Sequence, residues 1–333
     1  MSQRSPVIAV DVNGADDVRA AAQGASSSGV DVLIFGPASG LEGIPNVVDA
    51  PVSIAKAADP ARAARSTPDA SIVQAARAVA DGRADALVAG GSTGAALAAG
   101  LFNVKRAKGV HRPALAVALP VPGAPVTLLD VGANDVCRPE HLVQFAYMGA
   151  ALAHSVLGVE RPRVGLLSNG TEDVKGREEV VEAHARLRGM EGFVGNVEGF
   201  ALTEGVADVI VTDGFTGNVA LKVAEGVSKG MIDFVRRAAM SSTRAKVGGA
   251  LLRPALRGLR SELDPEAVGG AYLLGLRKLL VVPHGGFGPA GWAEAVRRAE
   301  RGVREDVIGR TYAALDAAGA LRRVPASDGA TSL

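Results

Sequence analysis

The chain has 333 residues, of which 48% are hydrophobic and 21% charged, with 36 Lys+Arg set against 35 Asp+Glu. That length is ample for a hydrophobic core without staples, and the balanced charge excludes a disordered chain and a globally basic nucleic-acid binder. A single cysteine, Cys137, excludes internal disulfides and a thiolate-rich metal site, and fits a reducing compartment, so the cytoplasm is the expected location.

The first apolar run, Val7–Val10, is short and is followed at once by Asp11, which argues against a signal peptide. No stretch reaches the roughly 18 apolar residues of a membrane span. Short β-rich runs then alternate with helical patterns along the whole chain, the signature of an α/β fold with a largely parallel sheet. Strands are expected at Val7–Val12, Val30–Phe35, Ala84–Val88, Ala114–Leu119, Val126–Val131, Arg163–Leu167, Gly192–Asn196, Asp208–Thr212 and Lys278–Val282. After Pro139, residues Leu142, Phe145, Gly149, Leu152 and Val156 share one face of a core-facing helix. The same period predicts core-facing helices at Val219, Val223, Val227, Gly230 and Phe234, and at Trp292, Ala295, Val296, Ala299 and Val303.

Between Phe234 and Ser261 the charge balance breaks. Arg236, Arg237, Arg244, Lys246, Arg253, Arg257 and Arg260 meet no acid, while Val247, Leu251, Leu252, Ala255, Leu256 and Leu259 recur at helical spacing around Pro254, expected to kink or divide the helix. A basic amphipathic hairpin over 241–262 suits the headgroup layer of an anionic bilayer, and it suits equally a dimer contact or a solvated face. Residues 1–324 read as a single α/β domain of one or two lobes, and the small polar residues 325–333 as a flexible tail.

Chemistry is expected at four Gly-rich junctions where predicted strands end, since open α/β sheets bind ligands there. Gly90-Gly91-Ser92-Thr93-Gly94 puts amides and hydroxyls at a helix N-terminus able to hold an anion, but lacks the lysine of a P-loop and the GxGxxG spacing, which disfavours nucleotides. At Asp130-Val131-Gly132-Ala133-Asn134, Asp130 reads as a loop-fixing acceptor and Asn134 as the better ligand contact. Ser168-Asn169-Gly170-Thr171-Glu172-Asp173-Val174-Lys175-Gly176 offers Asn169 and a mobile cation, Lys175. Asp213-Gly214-Phe215-Thr216-Gly217-Asn218 opens a long helix and reads as an anion cradle or as an ordinary helix cap. His284, after the last strand, is a candidate for proton transfer or a structural histidine. The other histidines, His111, His141, His154 and His184, show no metal-ligand spacing, and neither a catalytic partner for Cys137 nor a GxSxG elbow is present.

Together these motifs resemble the bacterial phosphate acyltransferases of phospholipid synthesis. The similarity spans about residues 7 to 305 and is sharpest at Leu129–Asn134, Pro139–Gln144, Arg163–Leu167, Gly170–Glu172 with Lys175-Gly176, Gly195–Glu198 and Val211–Val219. The resemblance implies a Rossmann-like three-layer α/β/α fold of the isocitrate-dehydrogenase and phosphotransacetylase type. It implies transfer of a fatty acyl group from acyl-[acyl-carrier-protein] to inorganic phosphate with no cofactor and no metal. It further implies a homodimer, a peripheral association with the inner face of the membrane, and a glycerol-3-phosphate acyltransferase as the consumer there. Site residues expected on this basis are Lys175, Asp213, Asn218 and His284 for catalysis, and Ser92, Thr93, Gly94, Asn134, Asn169, Thr216 and Gly217 for phosphate or substrate. The alternatives are a short-chain phosphotransacylase using acyl-CoA, and a non-catalytic paralogue that binds carrier protein or membrane.

Overall fold

A computed structural model describes residues 4–119, 121, 125–262 and 265–322; the expected tail at 325–333 lies outside them. The chain runs β1 (Val7–Asp11), α1 (Val18–Ser26), β2 (Asp31–Gly36), β3 (Val47–Asp49), α2 (Pro60–Ser66) and α3 (Ser71–Ala80). Next come β4 (Ala86–Ala89), α4 (Thr93–Ala99) with a π-helical turn at Gly100–Val104, β5 (Ala114–Leu119) and β6 (Val126–Leu129). They are followed by α5 (Pro139–Leu157), β7 (Val164–Leu167), α6 (Glu178–Leu187), β8 (Phe193–Val197), α7 (Ala201–Glu204) and β9 (Val209–Val211). The long helices α8 (Gly214–Met240) and α9 (Thr243–Glu262) precede α10 (Pro265–Val268), β10 (Ala271–Leu274), β11 (Leu279–Val282), α11 (Pro289–Arg304) and α12 (Val307–Ala317).

All strands belong to one 11-stranded sheet in the order β3-β2-β1-β4-β11-β10-β5-β6-β9-β7-β8. The first five are mutually parallel, as are the last four. Between them β10 is antiparallel to both β11 and β5, and β5 is antiparallel to β6, so the two parallel sets run in opposite directions. All nine expected strands form. The two not anticipated, β3 and β10, have three and four residues and offer little periodicity to read.

Helices cover both faces, which is why β4, β6 and β11 are buried at every position. One core joins α1, α5, α6, α11 and α12 to the sheet around Trp292, Phe145 and Tyr272. The other collects α2, α3, α4 and α7 around Phe35, Leu87 and Leu128. Helix α5 starts with Pro139 at its first turn, ends on Gly158 in the left-handed region, and buries Leu142, Phe145, Gly149 and Leu152 as its spacing predicts.

In the α8–α9 region one expectation fails, and of the two alternatives at Pro254 the division of the helix is not seen. The stripe Val219, Val223, Val227 and Phe234 is not in this chain's core: it lies in solvent, with Val223 58% and Phe234 65% exposed, because α8 extends past the sheet and packs instead on α9. Pro254 does not divide the second segment; α9 runs through it as one helix. The hairpin is therefore α8 against α9, with 241–262 supplying the turn and one limb.

Candidate active site

The ends of β6 and β9 are adjacent and parallel, so the Asp130 and Asp213 loops meet. Asp130 is fully buried; its Oδ1 accepts from the amides of Leu115 (3.0 Å), Gly132 (3.2 Å) and Ala133 (3.0 Å), and its Oδ2 from Asn134 Nδ2 (2.8 Å). Burial raises its pKa against those bonds, and the residue is the structural hub of the loop. Asn134 donates its other amide hydrogen to Pro113 O at 2.7 Å, so both donors are used internally and only Oδ1 is left to meet a ligand.

Asp213, 3% exposed, caps α8: Oδ1 accepts from the Thr216 amide at 2.9 Å and Oδ2 from Thr216 Oγ1 at 2.7 Å. Gly217 lets the helix touch the neighbouring loop, since a Cβ there would lie 1.9 Å from Asp130 O. Asn218 Nδ2 approaches Gly132, and its exposed side chain makes no hydrogen bond among the described residues. The guanidinium of Arg177 pairs with both Asp213 and Glu179. No motif reading singled out Arg177; its proximity to Asp213 arises from the parallel β7 and β9, a relation that no local spacing carries.

Lys175 and Asn169 are exposed on the loop that follows β7, next to β9 in the sheet. Thus Asn134, Lys175, Asn169, Asp213, Thr216, Gly217 and Asn218 fall on loops at the same ends of three neighbouring strands. At the start of the 27-residue helix the Gly214, Thr216 and Gly217 amides and the Thr216 hydroxyl are already used within the protein, so the groups open to an anion are the side chains of Asn218, Asn169 and the mobile cation Lys175.

Ser92, Thr93, Gly94 and His284 form a separate group at the ends of β4 and β11. Ser92 Oγ caps α4 by accepting from the Ala95 amide at 3.2 Å, and His284 Nδ1 accepts from the Gly286 amide at 3.1 Å. Gly91, at φ +93°, passes so close to Gly14 that a Cβ would lie 1.8 Å from Gly14 O. Nearby, Asp11 at the end of β1 is buried and its carboxyl is pushed up to about 6 by loss of solvation. Among the described residues no hydrogen bond joins this group to the Asp213 group.

Cys137 is buried and its thiol is pushed up to about 12, first by burial and then by the charges of Asp130 and Asp213, which removes the thiolate a nucleophile needs. Three residues whose sequence spacing gave no metal signal, His111, Glu140 and His141, do converge, with ligand atoms within 4.8 Å of one another. The site is a poor fit for a divalent cation. His141 Nδ1 already accepts from the Arg138 amide at 3.2 Å, and arginines 106, 112, 138 and 322 surround the two imidazoles, whose pKa values are lowered chiefly by burial.

The family and the fold agree with known proteins. A family model described as "Fatty acid synthesis protein" matches residues 8–310, and the chain belongs to that family. It is 42% identical over 323 residues to the phosphate acyltransferase of Geobacillus thermodenitrificans, covering 93% of this chain and 98% of that one. With the phosphate acyltransferase of Pelotomaculum thermopropionicum it shares 45% over 269 residues, 80% of this chain and 78% of the other. Among solved structures, a Streptococcus pyogenes phosphotransacetylase superposes with TM-score 0.61 at 15% identity, covering 90% of this chain and 94% of that one. A branched-chain phosphotransacylase from Enterococcus faecalis gives 0.57 at 14%, over 89% and 99%. At these identities the two structures establish the fold, the phosphotransacetylase-like α/β architecture.

Proposed function

We propose that the chain is a phosphate acyltransferase that moves a fatty acyl group from acyl-[acyl-carrier-protein] to inorganic phosphate. The observation that carries this reading is the near full-length similarity to phosphate acyltransferases; the exposed side chains of Lys175, Asn169 and Asn218 on loops of neighbouring strands are consistent with it. In this reading a phosphate oxygen attacks the thioester carbonyl, forming a C–O bond and a tetrahedral oxyanion. The C–S bond then breaks, the acyl phosphate departs, and the thiolate on the carrier's arm takes up a proton. Lys175, Asn218 and Asn169 bind phosphate and oxyanion, and Thr216, whose amide and hydroxyl both donate to Asp213, lines the site without donating to them. Asp213, already committed to Thr216 and Arg177, fixes the start of α8 and is not a general base. His284, whose Nδ1 accepts a backbone bond, has its other nitrogen for the thiolate, with Ser92, Thr93 and Gly94 as the opposite wall.

The exposed apolar stripe of α8 supports a homodimer, because such a stripe on a solvent-facing helix calls for a second copy. No helix of the described residues is long and apolar enough to cross a membrane. The exposed basic residues Arg236, Arg237, Arg244, Lys246 and Arg253 on α8 and α9 support peripheral contact with anionic lipid. Acyl phosphate is reactive and lipophilic, which favours a membrane-bound glycerol-3-phosphate acyltransferase as its consumer.

The deciding experiment is phosphate-dependent loss of thioester from long-chain acyl-[acyl-carrier-protein], with hydroxylamine trapping acyl phosphate and acyl-CoA run in parallel. Turnover that requires phosphate and prefers the carrier establishes the reading. Preference for short-chain acyl-CoA replaces it with a phosphotransacylase, and binding of carrier without turnover replaces it with a non-catalytic paralogue.

A further inference from the structure

Asn196 on β8 is 4% exposed, and every polar atom of its side chain is engaged. Its Nδ2 donates to Glu172 O at 2.7 Å and to Lys175 O at 3.2 Å, the two ends of a turn that closes by Lys175 N donating to Glu172 O at 3.0 Å. Its Oδ1 pairs with Nδ1 of His184 on α6 at 3.0 Å, and the buried His184 ring stands edge-on to Phe193 at 5.1 Å. The amide cannot flip without opposing an oxygen to two carbonyls and an NH2 to the imidazole donor. The result is a chain of fixed orientations: Phe193 and α6 hold His184, His184 holds Asn196, and Asn196 holds the turn whose last residue is Lys175.

That turn has few other tethers. Residues 171 to 178 are all exposed, and the Lys175 side chain makes no ion pair among the described residues. A flexible lysine on a free loop has much orientational entropy to lose when it meets an anion, and a buried clamp on its own carbonyl removes part of that loss in advance. We propose that Asn196, oriented by His184, is a positioning residue for Lys175 and thereby sets the affinity of the site for phosphate; this rests on the reading of Lys175 as a phosphate ligand.

The test is a double-mutant cycle on the full chain, followed by phosphate-dependent thioester loss. Asn196→Asp, of the same shape, opposes a carboxylate to the carbonyls of Glu172 and Lys175. It is expected to raise KM for phosphate about tenfold while KM for the acyl donor stays within about twofold. In a Lys175→Ala background the same substitution is expected to change KM for phosphate by less than about twofold, since the clamp then has nothing to position. A tenfold rise in both backgrounds, or no rise in the native one, overturns the positioning role. If Lys175→Ala alone leaves KM for phosphate unchanged, it is the reading of Lys175 that fails, and the clamp's role with it. Should Asn196→Asp not fold, His184→Ala is put through the same cycle, with a rise of about threefold expected in the native background alone.

Discussion

Arg177 donates to the carboxylate of Asp213 across 36 positions of sequence, tying the N-terminus of α6 to that of α8. Removing it leaves a buried carboxylate with Thr216 as its hydrogen-bonding partner. Arg177→Ala is expected to lower the unfolding free energy by about 1–2 kcal/mol, less than a buried pair costs because the guanidinium is largely solvated. Urea denaturation at neutral pH measures it, and a change below the error of the fit contradicts the pairing.

Lys175 lies outside every packing cluster, so its loss is expected to act on chemistry alone. Lys175→Ala should lower kcat/KM for phosphate on the order of tenfold to a hundredfold while stability changes by no more than about 0.5 kcal/mol. Steady-state kinetics paired with a melting curve separates the two, and a native rate in a folded variant removes Lys175 from the site.

Asp11 links stability to pH. Its folded-state pKa of about 6 lies above the usual 3.8, so between those values the folded chain keeps a proton that the unfolded chain has released. The stabilisation is complete below the unfolded value and is lost as pH rises through about 6, amounting to on the order of 3 kcal/mol. Asp11→Asn should therefore flatten the fall in stability between about pH 4 and pH 6, and equal pH slopes for both chains over that range would refute the assignment.

The α8 stripe predicts association. Val223→Glu with Val227→Glu puts charge on two apolar positions that are more than half exposed and outside both cores. The variant should retain its melting behaviour as a folded chain but shift from dimer to monomer in light scattering. A native chain that is already monomeric at micromolar concentration would show that the stripe serves another contact.

The parts of the molecule legible in the sequence were those carried by local chemistry. Continuous apolar runs such as Ala114–Leu119, the Pro139 start of α5 and the Gly-rich strand ends all declare themselves within a few residues. What escaped depends on distance in the chain. The periodicity of Val219, Val223 and Val227 states that one face of α8 is apolar, and says nothing about whether that face meets this chain or another surface. Asn134 has the composition of a ligand contact, yet its two donors go to Pro113 and Asp130. Arg177 and Asn196 gain their roles only when parallel strands align loops that no motif links.

The placement of β10 and β11 at the middle of the sheet has a consequence for biosynthesis. Residues 271–282 are made after every other strand, yet they fill the gap between β4 and β5. Until they leave the ribosome, Ala86–Ala89 and Ala114–Leu119 each present an unpaired apolar edge, the kind of surface that recruits stray strands. The nascent chain thus carries two unfinished halves until residues 271–282 emerge, and a truncation before Ala271 would leave both open, a product for chaperones and proteases and not a smaller working enzyme.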